Sequence, residues 1–180
     1  MSTIELFFDL VFVFAVTQLT SLLAGDPTVA GLGRVVLIFG NLWWIYGGYA
    51  WLTNAVPPQA SRLRLLMLVS MGGFLVLALV IPTAFAAGGV VFGVGYLLVT
   101  LVHTGMFLVS SQESAVRAMR RLGSVNALTA LLLLAAGFTD GVLRWTLWTA
   151  ALRLHWISPY FTAVPGFRIR AGHLLGLERP

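Results

Sequence analysis

Long apolar runs are the feature that most constrains this chain. They recur along the whole sequence, and each is about 20 residues long, enough to cross roughly 30 Å of hydrocarbon. The runs are rich in Leu and Ala and do not alternate with polar residues, which argues against β-strands. Only 9% of the residues are charged, whereas a soluble domain carries roughly 25%. The sequence therefore predicts an all-α fold, a polytopic membrane helix bundle.

Six apolar runs are predicted to be transmembrane helices, separated by short turns. They cover approximately residues 4–24, 29–53, 63–81, 89–109 and 122–138, and a sixth run begins near residue 141 and weakens at Ser158 and Pro159. Turn sequences such as Gly25-Asp26-Pro27 mark their ends. Residues 1–163 are thus predicted to form a six-helix transmembrane region, and residues 164–180 a cytoplasmic tail.

The distribution of arginine predicts the orientation of these helices. Eight of the eleven basic residues, all of them Arg, fall on one side of the predicted membrane: Arg62, Arg64, Arg117, Arg120, Arg121, Arg168, Arg170 and Arg179. Arg34 and Arg144 fall on the other side, and Arg153 lies inside a span. Basic residues of short loops concentrate in the cytoplasm. We therefore expect a multi-pass protein of the bacterial cell membrane with both termini cytoplasmic.

Several function classes find no support in the sequence. The net charge of +5 comes from scattered Arg residues, not from the basic and aromatic stripe of a nucleic-acid surface. There are no cysteines. His103, His155 and His173 lie on separate segments without metal-ligand spacing, and serine-nucleophile and phosphate-loop signatures are missing. We therefore expect that the protein is not an enzyme, and that it has no metal site, no cofactor and no nucleic-acid partner.

The strongest polar signal lies at the start of the first span. Glu5 and Asp9 are four residues apart, so their carboxylates project from the same helix face. Ionised carboxylates near hydrocarbon need a partner, water or a proton, which suits a proton or cation site. Ser2 to Glu5 also fits a capping box, in which Glu5 would only close the helix start. Asp9 lies a full turn deeper and is expected to have a specific partner.

Other polar residues at membrane depth are weaker candidates. His103 could relay protons, although a packed, hydrogen-bonded histidine is the favoured interpretation. Asn41 and Asn126 are interpreted as interhelical hydrogen-bonding residues. Arg153 either snorkels to the headgroups or pairs with an acid such as Asp9. The candidate intramembrane polar site is therefore Asp9, Glu5, His103 and Arg153, with no catalytic residue among them.

Four stretches of the chain resemble the bacterial low temperature requirement A family. The most specific is ELFFDLVFVFAVTQL from Glu5 to Leu19; the others are WWIYGGYAWLTNAVP from Trp43, IPTAF from Ile81 and GHLLGLER from Gly172. The resemblance implies a multi-pass membrane protein connected by name with growth in the cold, and it specifies no molecular activity. It also implies a second hydrophobic half, so residues 164–180 are alternatively a truncated link to that half.

Two functional hypotheses follow. The first is a transporter-like or ion-coupled membrane protein, which predicts that Asp9 faces a polar, water-accessible interior. The second is a non-transporting structural or accessory membrane protein for cold or stress tolerance, which predicts Asp9 locked in an interhelical pair, with no cavity. The expected partners are the lipid bilayer and, through the Gly89/Gly93 surface or the polar edge at Asp9, a second copy of the chain. The transported ion or small molecule, if there is one, is not specified by the sequence.

Overall fold

The computed structural model describes residues 3–55, 61–108 and 113–162, with side chains for residues 6–52, 63–106 and 122–159. Within these ranges all regular structure is helical. The elements are α1 (Thr3–Gly25), α2 (Val29–Ala55), α3 (Ser61–Val80), a 3-10 turn (Ile81–Thr83), α4 (Gly89–Leu108), α5 (Glu113–Gly137) and α6 (Gly141–Thr162). The predicted all-α bundle of six helices is confirmed.

Two helix boundaries differ from the prediction. Helix α5 begins at Glu113, nine residues before the apolar run, because its first turns are amphipathic rather than apolar. Helix α6 continues through Pro159 to Thr162. Proline has no N–H for the carbonyl four residues earlier, and the Ser158 hydroxyl donates to that carbonyl, His155 O, at 2.8 Å. The Ser158 hydroxyl takes the place of the missing N–H of Pro159, so the carbonyl of His155 stays hydrogen-bonded and the helix continues past Ser158.

Four of the described helices are long and apolar enough to cross a membrane. These segments are Leu6–Gly25, Val29–Leu52, Leu63–Thr83 and Gly89–Met106. The apolar part of α5, Leu122–Gly137, is shorter, and α6 carries Arg144 and Arg153. The chain is therefore a membrane protein, while the six-span region 1–163 with its cytoplasmic tail remains a prediction.

Glycines bring α4 and α5 into close contact. A Cβ atom on Gly89 would lie 3.0 Å from the Cα of Gly137, and one on Gly137 would lie 2.6 Å from the carbonyl carbon of Gly89. Gly93 is likewise packed against the backbone of Leu134. The close helix approach predicted for Gly89 and Gly93 is confirmed. In this structure α5 of the same chain covers this surface, and association with a second copy stays a prediction.

The two arginines predicted to face away from the cytoplasm are both ion-paired. Arg34 Nη1 lies 2.8 Å from Asp26, and Arg144 Nη2 lies 2.8 Å from Asp140. Arg144 also donates to the backbone carbonyl of Phe85, which ties the α5–α6 turn to the α3–α4 connection. These pairs do not test the predicted orientation, because it rests on the distribution of Arg and not on net charge.

Candidate functional site

Polar side chains collect in the interior where α2, α4, α5 and α6 meet. We call this group the interior polar cluster; it consists of Asn41 and Trp44 of α2, Tyr96, Thr100 and His103 of α4, Asn126 of α5 and His155 of α6. Except for Trp44, which is partly buried, each is at most 4% exposed. Buried polar groups are expensive unless they are hydrogen-bonded. The contacts within the cluster therefore decide what it can do.

Tyr96 stands at the centre of the cluster. Its hydroxyl donates to the backbone carbonyl of Asn41 at 3.0 Å and lies 3.0 Å from Nε2 of His155. A phenol has a single proton to donate. Because Tyr96 donates this proton to the Asn41 carbonyl, its oxygen can only accept from His155, and the Nε2–H of His155 is the donor. This assignment leaves Nδ1 of the neutral imidazole as an acceptor.

Asn41, Thr100 and His155 each have one buried atom that lacks a hydrogen-bond partner among the described residues. These atoms are Nδ1 of His155, Oδ1 of Asn41 and Oγ1 of Thr100, all fully buried. Leaving such a group unsatisfied costs about 1–3 kcal/mol. The amide of Asn41 donates within its own helix, to Leu37 O at 2.8 Å, and its side chain forms no interhelical bond with the described residues, contrary to the prediction. Unsatisfied buried groups mark places where water, an ion or a substrate can bind.

A cavity of about 280 Å³ adjoins the cluster between α2, α4 and α5. It is lined by Trp43, Trp44, Gly47, Gly48, Trp51, His103, Leu122 and Asn126. His103 packs on the ring of Tyr49, with centroids 4.9 Å apart. It also lies so close to Gly48 that an added Cβ would meet Nε2 at 2.9 Å. Gly48 therefore makes room for the imidazole that closes the inner end of the cavity.

Trp44 lies between the cavity and His155 and contacts both. Its indole Nε1 donates to Oδ1 of Asn126 at 3.1 Å, so the interhelical bond predicted for Asn126 is confirmed. Its ring also stacks on the imidazole of His155, with centroids 5.0 Å apart. A movement of Trp44 would therefore alter both its hydrogen bond to Asn126 and its stack on His155.

Asp9 belongs to a second, separate arrangement between α1 and α2. The Tyr46 hydroxyl donates to Asp9 Oδ1 at 2.7 Å. The Tyr46 ring is stacked on Phe8 at 5.2 Å and on Phe12 at 4.0 Å between centroids. These two phenylalanines flank Asp9 in the α1 sequence and hold the phenol in place. The specific partner expected for Asp9 is therefore Tyr46.

The four residues of the predicted intramembrane site lie in different surroundings. His103 is in the interior polar cluster, whereas Asp9 is bound to Tyr46. Arg153 is exposed on α6 and forms no ion pair with the described side chains, so of its two alternatives the pairing with Asp9 is not seen. The side chain of Glu5 lies outside the described residues. Asp9, His103 and Arg153 therefore lie in three separate places rather than in one site.

Comparison with known proteins shows to which family the chain belongs. The family model of the bacterial low temperature requirement A protein matches residues 1–179. The chain belongs to this family. It is also 28% identical over 158 residues to the uncharacterized protein RA0937 of Rhizobium meliloti (strain 1021), a match that covers 86% of the chain and 39% of that relative. The chain thus spans about two fifths of the relative's length. No solved structure matches it.

Two of the stretches that resemble the low temperature requirement A family supply the residues around Asp9 and part of the cavity wall. Glu5 to Leu19 supplies Phe8, Asp9 and Phe12, which hold Tyr46. The stretch that starts at Trp43 supplies Tyr46 itself and five of the cavity-lining residues. Of the interior polar cluster itself, only Trp44 belongs to one of these stretches.

The predicted site lacks three residues that form the hydrogen bonds of these regions: Tyr46, Tyr96 and His155. His155 was recognisable from the sequence only as a polar residue at depth. The two tyrosines gave a general signal, since a phenol inside an apolar span must find a hydrogen-bond partner. Nothing in the sequence specifies that Tyr96 meets His155, which lies 59 positions away.

Proposed function

We propose that this low temperature requirement A protein is an ion-coupled transport protein of the cell membrane, with the interior polar cluster as its proton-handling site. The observation that carries the proposal is His155, a fully buried histidine with Nε2 on Tyr96 and Nδ1 without a partner among the described residues. Ionisable residues inside membrane helices mark proton and substrate pathways. Two further unsatisfied atoms, on Asn41 and Thr100, support the same interpretation.

The geometry supports proton uptake at a single atom. Nε2–H of His155 is held by Tyr96, so an arriving proton binds Nδ1 and the imidazole becomes a cation. Trp44 is stacked on that ring at 5.0 Å, and an indole face attracts a cation by about 0.5–2 kcal/mol. Release of the proton from Nδ1 restores the neutral ring. The cluster thus has an acceptor for the proton and a neighbour that stabilises the charged form.

Proton flux into liposomes tests this function. The purified chain is reconstituted with an internal pH-sensitive dye, and a potassium diffusion potential drives protons inward. We expect flux from the wild type and its loss in His155→Leu. Thr146→Val is the matched control on α6, since among the described residues the Thr146 hydroxyl bonds the carbonyl of Val142 in its own helix and no other helix. Equal flux in protein-free and wild-type liposomes would contradict the proposal.

The second candidate is a non-transporting accessory membrane protein for cold or stress tolerance. The observation that favours it is the interhelical hydrogen bond between Tyr46 and Asp9, which is the arrangement expected for a structural role. Cold growth of a strain that depends on this protein distinguishes the two. An accessory role requires growth to depend on Asp9 and to survive His155→Leu, whereas transport requires it to fail in His155→Leu.

The proposed setting is a multi-pass protein in the cell membrane. Large apolar side chains on the outward faces of the helices, such as Leu10, Leu79 and Leu101, are more than half exposed, which suits contact with lipid. Self-association is proposed through the polar edge at Asp9, since Gly89 and Gly93 are covered by α5. Asp9 is only partly buried, and polar groups at such positions drive association of membrane helices.

A further inference from the structure

We propose that the cavity beside Trp44 binds a small alkylated ammonium compound that carries an oxygen acceptor. This inference rests on the proposed function and extends it by naming the solute class. The cavity is lined by three tryptophans, Trp43, Trp44 and Trp51, and none of its lining residues among the described side chains is charged. Indole is the side chain whose face attracts cations best. An alkylated ammonium group suits such walls because its weak hydration makes desolvation less costly than for a bare ammonium.

The cavity also has a fixed hydrogen-bond donor at its buried end. Asn126 is 4% exposed, and its Oδ1 accepts from Nε1–H of Trp44. Because indole nitrogen can only donate, this bond fixes which end of the amide faces Trp44. The Nδ2 group makes no hydrogen bond with the described residues and is available to a ligand. A hydroxyl or carboxylate oxygen on the ligand would accept from it.

Size and access agree with a small ligand. A volume of about 280 Å³ lies just below the range of about 300–1,000 Å³ typical of drug-sized ligands. Trp43 is 55% exposed and Gly47 is also exposed, which places the mouth there, opposite buried His103 and Asn126. A ligand in the cavity would contact Trp44, whose ring also stacks on His155. Ligand binding and protonation would therefore influence each other through one indole.

Gly47 offers a way to close the cavity without disturbing the bundle. A Cβ at Gly47 meets nothing within 4 Å, so Gly47→Leu should fold and fill the mouth. Gly72 of α3 is the matched control, since a Cβ there also meets nothing within 4 Å and the residue lines none of the cavity. Both changes replace a helical glycine with a good helix former.

The experiment measures binding by tryptophan fluorescence in a maltoside detergent. The probes are choline and 3,3-dimethylbutan-1-ol, its neutral isostere with carbon in place of the ammonium nitrogen. We expect choline to bind the wild type at least tenfold more tightly than the isostere. Gly47→Leu should weaken choline binding at least tenfold, and Gly72→Leu should leave it unchanged. Trp51→Leu should remove the preference for choline, and Asn126→Leu should weaken both probes alike.

Three results would overturn the inference. The first is equal affinity for choline and the neutral isostere, which would mean an apolar cavity without cation preference. The second is no choline binding to folded wild-type protein. The third is equal choline affinity in Gly47→Leu and Gly72→Leu. Binding in detergent requires no proton gradient, so proton flux that fails while choline binds contradicts the proposed function alone. Flux without choline binding contradicts only this inference.

Discussion

The indole of Trp44 lies nearly parallel to the imidazole of His155, with ring centroids 5.0 Å apart and planes inclined by 18°. The same indole donates to Asn126 on α5. One side chain of α2 therefore links α5 and α6 and stands between the cavity and the histidine. The predictions below separate the contributions of this link from those of the other polar contact, Asp9 with Tyr46.

The bond between Trp44 and Asn126 should be measurable by a double-mutant cycle. Trp44→Phe and Asn126→Leu each remove it, so the free energies of unfolding should not add. We expect a coupling of about 0.6 kcal/mol, and no more than about 1.7 kcal/mol, as for hydrogen bonds in other membrane proteins. Unfolding in mild detergent gives the values. Trp156→Phe, at a residue 68% exposed, is the control and should show no coupling with Asn126→Leu.

Asp9 should matter more than Glu5 for stability and for growth in the cold. Asp9→Ala leaves the Tyr46 hydroxyl without its partner, whereas Glu5 can be replaced by water at the helix start. Tyr46→Phe keeps the ring stack and removes the same hydrogen bond, so combining it with Asp9→Ala should add little. The assays are unfolding in detergent and growth at low temperature. Negligible effects of Asp9→Ala and Glu5→Ala alike would count against a structural role for Asp9.

The contact between α4 and α5 should not tolerate a side chain at Gly93. A Cβ there would collide with the backbone of Leu134, and overpacking typically costs about 1–3 kcal/mol. Gly105→Ala in the same helix is the control, because a Cβ at Gly105 meets nothing within 4 Å and alanine should stabilise the helix by up to about 1 kcal/mol. Opposite signs in the free energy of unfolding are expected. A neutral Gly93→Ala would show that the helices are farther apart.

Both ends of the chain should be cytoplasmic. Reporter fusions after Gln59 and after Gln112 test this orientation, since both positions lie in the predicted cytoplasmic loops. Each should give a cytoplasmic signal. A fusion after Gly88, between the 3-10 turn and α4, should give the opposite signal and serves as the internal control. A periplasmic signal at Gln59 or Gln112 would contradict the assignment.

The chain should self-associate or be poorly stable by itself in mild detergent. Polar Asp9 is only partly buried on one side of the bundle, and association would cover it. Light scattering on the purified protein gives the size, and Asp9→Leu should reduce association if that edge is responsible. A stable, monodisperse monomer with full biological activity would contradict this prediction.

The sequence by itself determined the membrane location, the helical fold and most helix boundaries. Hydrocarbon offers no hydrogen bonds, so long apolar segments must satisfy their backbone groups internally as helices. Turn residues such as Gly25 and Pro27 then mark where the helices end. Family membership could also be predicted from the sequence, since the stretch from Glu5 to Leu19 is long and specific.

Only the tertiary structure decided which polar groups meet. Trp44 and Asn126 are 82 positions apart, and their contact depends on how each helix is rotated about its own axis. In soluble proteins the apolar face of a helix indicates that rotation. Here the lipid-facing and core-facing sides are both apolar, so hydropathy does not distinguish them. That is why Asp9 could be predicted to have a partner, while Tyr46 as that partner and His155 on Tyr96 required the packed bundle.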